Sequence, residues 1–340
     1  MKTSRWIFSA LSALLLSLSS HTFVAAQTAV ADKAAEARQA ALKQFADKVD
    51  VRFDQSYAGN DNPKQQVDVY LPKVRTDDKP LPVVVFIHGG GWSGGDRKSY
   101  VAQALYLVSS GKYAAVAVGY RLSAEVKWPN QIHDCKAAVR YIRGHAKEWN
   151  IDPDKIGVTG SSAGGHLVSL LGVSAGVKDL EGSIGDFTSL PSNVTAVVNF
   201  CGPSDMAAPL MQGEAAKVDD PAVAGLLGGK ISEHLDAAHA ASPVWHLQQK
   251  TSKTKPAPIM TVHGTNDGRV DFKHAEWLDA ALKQAGGSSL LIPVQGAGHG
   301  IPQGPELSGR IRQFWDLHLR GEKSEISAEP IKVEPAPAKK

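Results

Sequence analysis

The sequence predicts an α/β architecture: a mostly parallel central sheet with helices on both faces and an insertion after the sixth strand. Three observations point there. Continuous apolar runs of strand length recur, such as Val83–Ile87, and a strand buried on both faces reads this way. Segments with apolar residues three and four apart lie between those runs, the period of a helix with one buried face. Strands that alternate with helices pair in parallel, because each crossover returns the chain to the same end of the sheet.

The elements follow in chain order. Val67–Leu71 alternates apolar and polar residues and reads as an edge strand. Val83–Ile87 and Tyr113–Gly119 read as central strands. Asn130–Trp149 carries a stripe of Ile132, Cys135, Val139, Ile142, Ala146 and Trp149, one buried helix face. The turn Asp152-Pro153-Asp154 introduces a short strand, Ile156–Thr159, and a helix follows over Ala163–Ser174. Val194–Phe200, Ile259–Val262 and Leu290–Val294 are further strands, and Phe272–Ala285 and Leu307–Leu319 are amphipathic helices. Residues 203–255, rich in Ala, Gly and Asp, interrupt the rhythm. They read either as an insertion that partly covers the substrate end of the sheet or as an ordinary surface excursion.

The ends are of a different kind. Lys2 and Arg5 precede an apolar run from Trp6 to Leu18, and Val24-Ala25-Ala26 supplies small residues for cleavage. That is the layout of a signal peptide over 1–26, and it predicts a secreted or periplasmic protein. The run is too short for a mature membrane span. Residues 27–50 read as a helical lead-in or linker, 51–320 as the folded domain and 321–340 as a disordered, charged, proline-bearing tail.

The chain has 37 basic and 34 acidic residues in all. Without the leader the balance is 35 against 34, and no basic block with interleaved aromatics occurs, so a nucleic-acid partner is not expected. Two cysteines, Cys135 and Cys201, exclude a disulfide framework. One bridge remains open at this level, beside the simpler reading of Cys135 as a small buried hydrophobe.

Gly160-Ser161-Ser162-Ala163-Gly164 fits the G-x-S-x-G nucleophile elbow. The pattern has a steric origin: the serine sits on a sharp strand-to-helix turn, and small residues on either side let neighbouring backbone pass. The required strand and helix flank it. His88-Gly89-Gly90-Gly91-Trp92 follows the strand Val83–Ile87 directly. Backbone N–H groups in such a glycine run can face the oxygen of a tetrahedral intermediate, and Ala163, after the nucleophile, supplies another. A serine also needs a base, and the base an orienting acid. His299, flanked by glycines, follows the last strand, and Asp267 follows the strand before it. The order Ser, Asp, His suits Asp267 better than Asp205, the stronger competitor, or Asp271, which reads as a helix-capping acid.

His88 and His166 read as local hydrogen-bonding residues, and the other histidines follow no metal-ligand spacing. No H-E-x-x-H or paired CxxC occurs, so no metal is expected. No P-loop follows a strand, and no cofactor is expected.

Taken together, His88–Trp92, Gly160–Leu167, His263-Gly264-Thr265-Asn266-Asp267 and Gly298-His299-Gly300 resemble the hormone-sensitive-lipase-like branch of the α/β-hydrolases. More narrowly, with Trp128–Asp134 and Asn150–Ile156, they resemble the feruloyl and acetyl-xylan esterase-like BD-FAE type. The likeness covers roughly residues 50–320. It implies a Ser162–Asp267–His299 triad, with Gly90, Gly91 and Ala163 as oxyanion donors. It departs at Asp271, where the family pattern has a proline after Val270. The expected function is a secreted serine carboxylesterase acting on short acyl esters, acetyl or aromatic, on a small-molecule or polysaccharide partner. A serine amidase, peptidase or formamidase is the alternative within the same chemistry. A non-catalytic binding protein on the same fold is the alternative outside it, and loss of nucleophile, acid or base would mark that case.

Overall fold

The computed structural model describes residues 32–332 apart from 214, 215 and 218. The leader assigned to 1–26 lies outside the described residues. The chain divides into two compact units, Met1–Asp47 and Lys48–Lys340. The described part of the first contains a helix over 32–45 (α1). The expected boundary at residue 50 falls inside a strand, so the second unit begins slightly earlier.

The second unit holds nine strands among the described residues. They are β1 (Val49–Ser56), β2 (Gln66–Pro72), β3 (Leu81–Ile87), β4 (Ala114–Val118), β5 (Ile151–Ser161), β6 (Ala196–Phe200), β7 (Ile259–Gly264), β8 (Ser289–Gln295) and β9 (Ile331–Lys332). They form one sheet in the order β1-β2-β4-β3-β5-β6-β7-β8-β9. β1 pairs antiparallel with β2 and β2 antiparallel with β4, and the pairings from β4 through to β9 are parallel.

Between the strands run α2 (Val101–Val108), α3 (Asn130–Gly144), α4 (Ala146–Trp149), α5 (Ala163–Val173), α6 (Lys178–Glu181), α7 (Pro221–Leu227), α8 (Leu235–Ala240), α9 (Pro243–Gln249), α10 (Lys273–Gln284) and α11 (Pro305–Arg320). Strand alternation sorts the layers. Ile156 and Val158 of β5 join a buried cluster with Ile132 and Val139 of α3 and Leu167 and Leu171 of α5. Gly157, between them, faces the other way and abuts Trp315 and Leu319 of α11. Helices therefore cover both faces, the α/β-hydrolase arrangement.

Three expectations need correction. The strand at Val67–Leu71 is not an edge, because β1 covers it. Its polar residue Asp68, which reads as facing solvent, is fully buried and paired with Arg97 at 2.9 Å. The helix expected over Asn130–Trp149 is interrupted at His145, although all six residues of its predicted stripe are buried. The tail assigned as disordered is ordered as far as residue 332: Ile331 pairs with Val294, and Arg310 donates to the carbonyls of Ser327 and Glu329 at 3.1 and 2.5 Å. Low hydrophobicity there reflects exposure of an extended strap, which a buried guanidinium pins by its backbone.

Cys135 and Cys201 are both free and buried. Among the described residues, no helix is long and apolar enough to cross a membrane.

Candidate active site

The parallel strands β3, β5, β7 and β8 end on the same side of the sheet, and their following loops meet there. β5 stops at Ser161 and α5 starts at Ala163, so Ser162 alone makes the turn. It takes φ 57° and ψ −121°, a left-handed conformation that costs a non-glycine residue of order 1–3 kcal/mol. The turn is held by Ser162 N–H donating to the Phe200 carbonyl at 2.8 Å and by the Ser162 carbonyl accepting from His166 N–H at 2.9 Å. Gly164 is needed for close approach, since a Cβ there would collide with the carbonyl oxygen of Ile87.

After β3 the chain coils tightly. The Gly90 carbonyl accepts from the N–H groups of Ser93 and Gly94 at 3.2 and 3.0 Å. Gly90 has φ 113°, and a Cβ there would strike the Gly94 carbonyl. This turn leaves the N–H groups of Gly90 and Gly91 with no acceptor among the described residues. Ala163 N–H, at the first turn of α5, is an orphan donor of the usual helix kind. Trp92 lies under the loop rather than in contact with solvent: its indole is buried, edge-on to His166 at 5.3 Å, and Nε1 donates to His166 Nδ1 at 3.2 Å. His166 Nε2 in turn faces the Ala241 carbonyl at 2.6 Å. Burial drives the His166 pKa down to about 4, despite that backbone contact. His88, also pushed down to about 4 by burial, stacks on Tyr120. Both are local packing and hydrogen-bonding residues.

The loops after β7 and β8 bring Asp267 and His299 together, with His299 Nδ1 at 2.8 Å from Asp267 Oδ2. Asp267 Oδ1 accepts from Arg269 N–H at 2.8 Å and Val270 N–H at 3.0 Å. A residue that the spacing did not reveal completes the set. His263, buried in β7, places Nε2 at 2.9 Å from the Val270 carbonyl and 3.2 Å from Asp267 Oδ2. Two acceptors on one nitrogen fix the proton on Nε2. Burial alone raises the Asp267 pKa, but the bonds from His263, His299, Val270 and Arg269 outweigh it and hold the carboxyl well below its ordinary range. Burial alone lowers the His299 pKa, but the Asp267 hydrogen bond and the nearby Cys201 sulfur reverse this and raise it above the ordinary value.

The competing acids lie elsewhere. Asp205 caps its own turn, accepting from Ala207 and Ala208 N–H at 3.0 and 3.3 Å. Asp271 accepts from Lys273 N–H at 2.9 Å at the mouth of α10.

Ser162, His299, Gly90 and Gly91 line one cavity of about 510 Å³. Pro203, Leu210 and Ala222 of the 203–255 insertion line it as well, so the insertion builds part of the wall. Cys201 lies beneath, its Sγ 3.4 Å from the His299 carbonyl. Among the described residues, Cys201, Asp267 and His299 are the one trio whose donor atoms could face a single ion, within 4.8 Å of one another. Asp267 and His299 already satisfy each other there.

A free serine on a strained turn, an imidazole tied to a carboxylate, and a row of unpaired backbone donors together equip a site for acyl transfer. Comparison with known proteins agrees with that chemistry. The chain is 28% identical to the esterase LipC of Mycobacterium tuberculosis over 71% of its length, and the alignment covers 58% of LipC, so the chain spans little more than half of that relative. The structure of a truncated carbohydrate esterase from gut microbiota is similar at TM-score 0.66 and 32% identity, covering 74% of this chain and 89% of that one. Esterase 2 of Thermogutta terrifontis, phosphonylated by sarin, is similar at TM-score 0.60 and 26% identity, covering 79% of this chain and 94% of that one. A family model described as BD-FAE matches residues 67–282, more than half of the chain, and the chain belongs to that family.

Proposed function

We propose that the protein is a serine carboxylesterase that removes short acyl groups, acetyl or aromatic, from carbohydrate esters outside the cytoplasm. The carrying observation is the convergence on one cavity of Ser162, the Asp267-bound His299 and the unpaired N–H groups of Gly90 and Gly91. In this reading Ser162 Oγ attacks the ester carbonyl carbon, and His299 Nε2 takes its proton. Asp267, on Nδ1, fixes the ring and stabilises its charged form. Gly90, Gly91 and Ala163 N–H groups hold the oxyanion. As the intermediate collapses, the C–O bond to the alcohol breaks and His299 returns the proton to that oxygen. Water, deprotonated by His299, then hydrolyses the acyl-enzyme and frees Ser162.

The short-chain part of the reading comes from the resemblance to acetyl- and feruloyl-esterases, with Leu210, Ala222 and Val270 supplying apolar wall to the cavity. The carbohydrate preference is supported by the gut-microbiota carbohydrate esterase among the similar structures, and the location by the leader pattern over 1–26. Ser162→Ala tests the chemistry: hydrolysis of p-nitrophenyl acetate falls by about a millionfold in kcat, as for removal of a triad serine. Near-full activity in that variant contradicts the assignment. A p-nitrophenyl ester series tests the acyl site. Preference for chains of about ten carbons or more, each buried CH₂ adding roughly 0.8 kcal/mol, contradicts the short-chain reading.

A further inference from the structure

The cavity contains one charged side chain that acyl transfer does not use, Arg269. Its N–H bonds Asp267, so the acid loop fixes its place. Its guanidinium is half exposed and donates to Asp220 Oδ2 at 3.4 Å. Asp220 is nearly buried, and its other oxygen caps α7 by accepting from Ala222 N–H at 2.9 Å. The pair ties the acid loop to the insertion. A guanidinium has five N–H donors, and among the described residues no other acceptor meets those of Arg269.

The position of the pair decides which half of an ester it meets. The carbonyl oxygen must face the glycine run, and the alcohol oxygen must face His299, which protonates it. With an acyl group as short as acetyl, the rest of the cavity, Arg269 included, takes the alcohol. The adjoining walls, Pro203, Leu210, Ala222 and Val270, are apolar. A charged donor on an apolar wall suits a ring bearing hydroxyls, since a hydroxyl oxygen can accept from the guanidinium while the C–H face covers the wall. A hydrocarbon alcohol would desolvate the guanidinium without replacing its hydrogen bonds, and a site built for hydroxyls rejects such analogues. A carboxylate would meet the Asp220 charge.

We propose that Arg269, held by Asp220, is a specificity-determining residue that binds the hydroxyls of a sugar-like alcohol and selects its esters over esters of apolar alcohols with the same acyl group. This rests on the esterase reading and adds the alcohol to it. The measurement is the ratio of kcat/KM for an acetylated methyl xyloside to that for cyclohexyl acetate, a ring of the same size without hydroxyls. Arg269→Met lowers this ratio by about tenfold or more, as loss of a hydrogen bond to a charged group does. Asp220→Asn, which keeps an oxygen for the α7 cap, lowers it by about threefold by loosening the guanidinium. A ratio within about twofold of wild type in both variants overturns the proposal. So does a loss confined to the acetyl ester of a methyl glucuronoside, which would make Arg269 an anion site. Protection against fluorophosphonate labelling by methyl xyloside, present in wild type and lost in Arg269→Met, reads the same contact without turnover, and its equal presence in both contradicts the proposal. A wild-type protein that cleaves none of these esters defeats the esterase reading itself, and the proposal with it; cleavage that persists with an unchanged ratio defeats the proposal alone.

Discussion

Two buried aspartates in this molecule have opposite uses. Asp68 lies in the middle of β2, fully buried, with Oδ1 accepting from Arg97 Nε at 2.9 Å and from Asp54 N–H at 3.0 Å. Asp267 lies just past β7, nearly as buried, with two donors on each oxygen. The partners make the difference. Arg97 keeps its proton at any working pH, it is buried, and it also binds the Pro63 carbonyl and Gln66, so it locks β2 to the segment before α2. His299 can give and take a proton, and it borders a cavity. The surrounding backbone does not separate the two. Asp68 pairs regularly with Ala117 on the β4 side, but on the β1 side it lies opposite a register shift where Asp54, whose N–H it accepts, takes φ 58°. Trp92 and Ser162 at the cavity, and Cys201 beneath it, take left-handed conformations as well. A buried carboxylate is therefore no mark of a site by itself, nor is strained backbone beside it; a titratable partner and an opening are what distinguish Asp267.

Substitutions sharpen that contrast. Asp267→Asn lowers kcat by about ten-thousandfold, because the amide favours the wrong imidazole tautomer. It also moves the pH profile. Ester hydrolysis needs neutral His299, so a raised pKa places the acid limb of kcat/KM above the ordinary histidine value of about 6.5. Without the carboxylate a main raising interaction is lost and the limb shifts to lower pH. A limb that stays put in Asp267→Asn breaks the proposed coupling. Asp68→Ala removes a partner from a buried ion pair and lowers unfolding free energy by about 3 kcal/mol, measured by urea denaturation. Activity per folded molecule stays within about twofold, since Asp68 belongs to the fold and not to the cavity. A large loss of kcat at full folding would erase the distinction between the two acids. Cys201→Ser gives the smallest effect, within about threefold in kcat/KM, because the hydroxyl keeps the contact to the His299 carbonyl and the thiol carries no proton in the cycle.

The same contrast explains what could be read from the sequence. Central strands were legible because burial on both faces demands unbroken apolar runs, as in Val83–Ile87, all buried. The elbow was legible because a tight turn admits only small neighbours around Ser162, and Asp267 and His299 because chain order follows strand order. β1 was not, since its pairing with β2 shifts register between Arg52 and Gln55 and only one of its eight residues, Val49, is buried. β9 owes its place to β8, some 37 residues away in sequence. Asp68 was misread because period-two alternation reports polarity and not what lies opposite, here Arg97. His263 and the Arg269–Asp220 pair were hidden for a related reason. Each acts through a contact that only folding creates, and the Arg269–Asp220 contact spans 49 residues.

The proposed chemistry rests on Ser162 being an activated nucleophile. Its most direct test is reaction of the intact protein with a fluorophosphonate, followed by mass-spectrometric location of the adduct. One adduct is expected, on Ser162, formed rapidly in wild type and slowed by orders of magnitude in His299→Ala, which removes the base. An adduct on Ser161 or elsewhere, or equal labelling with and without His299, contradicts it.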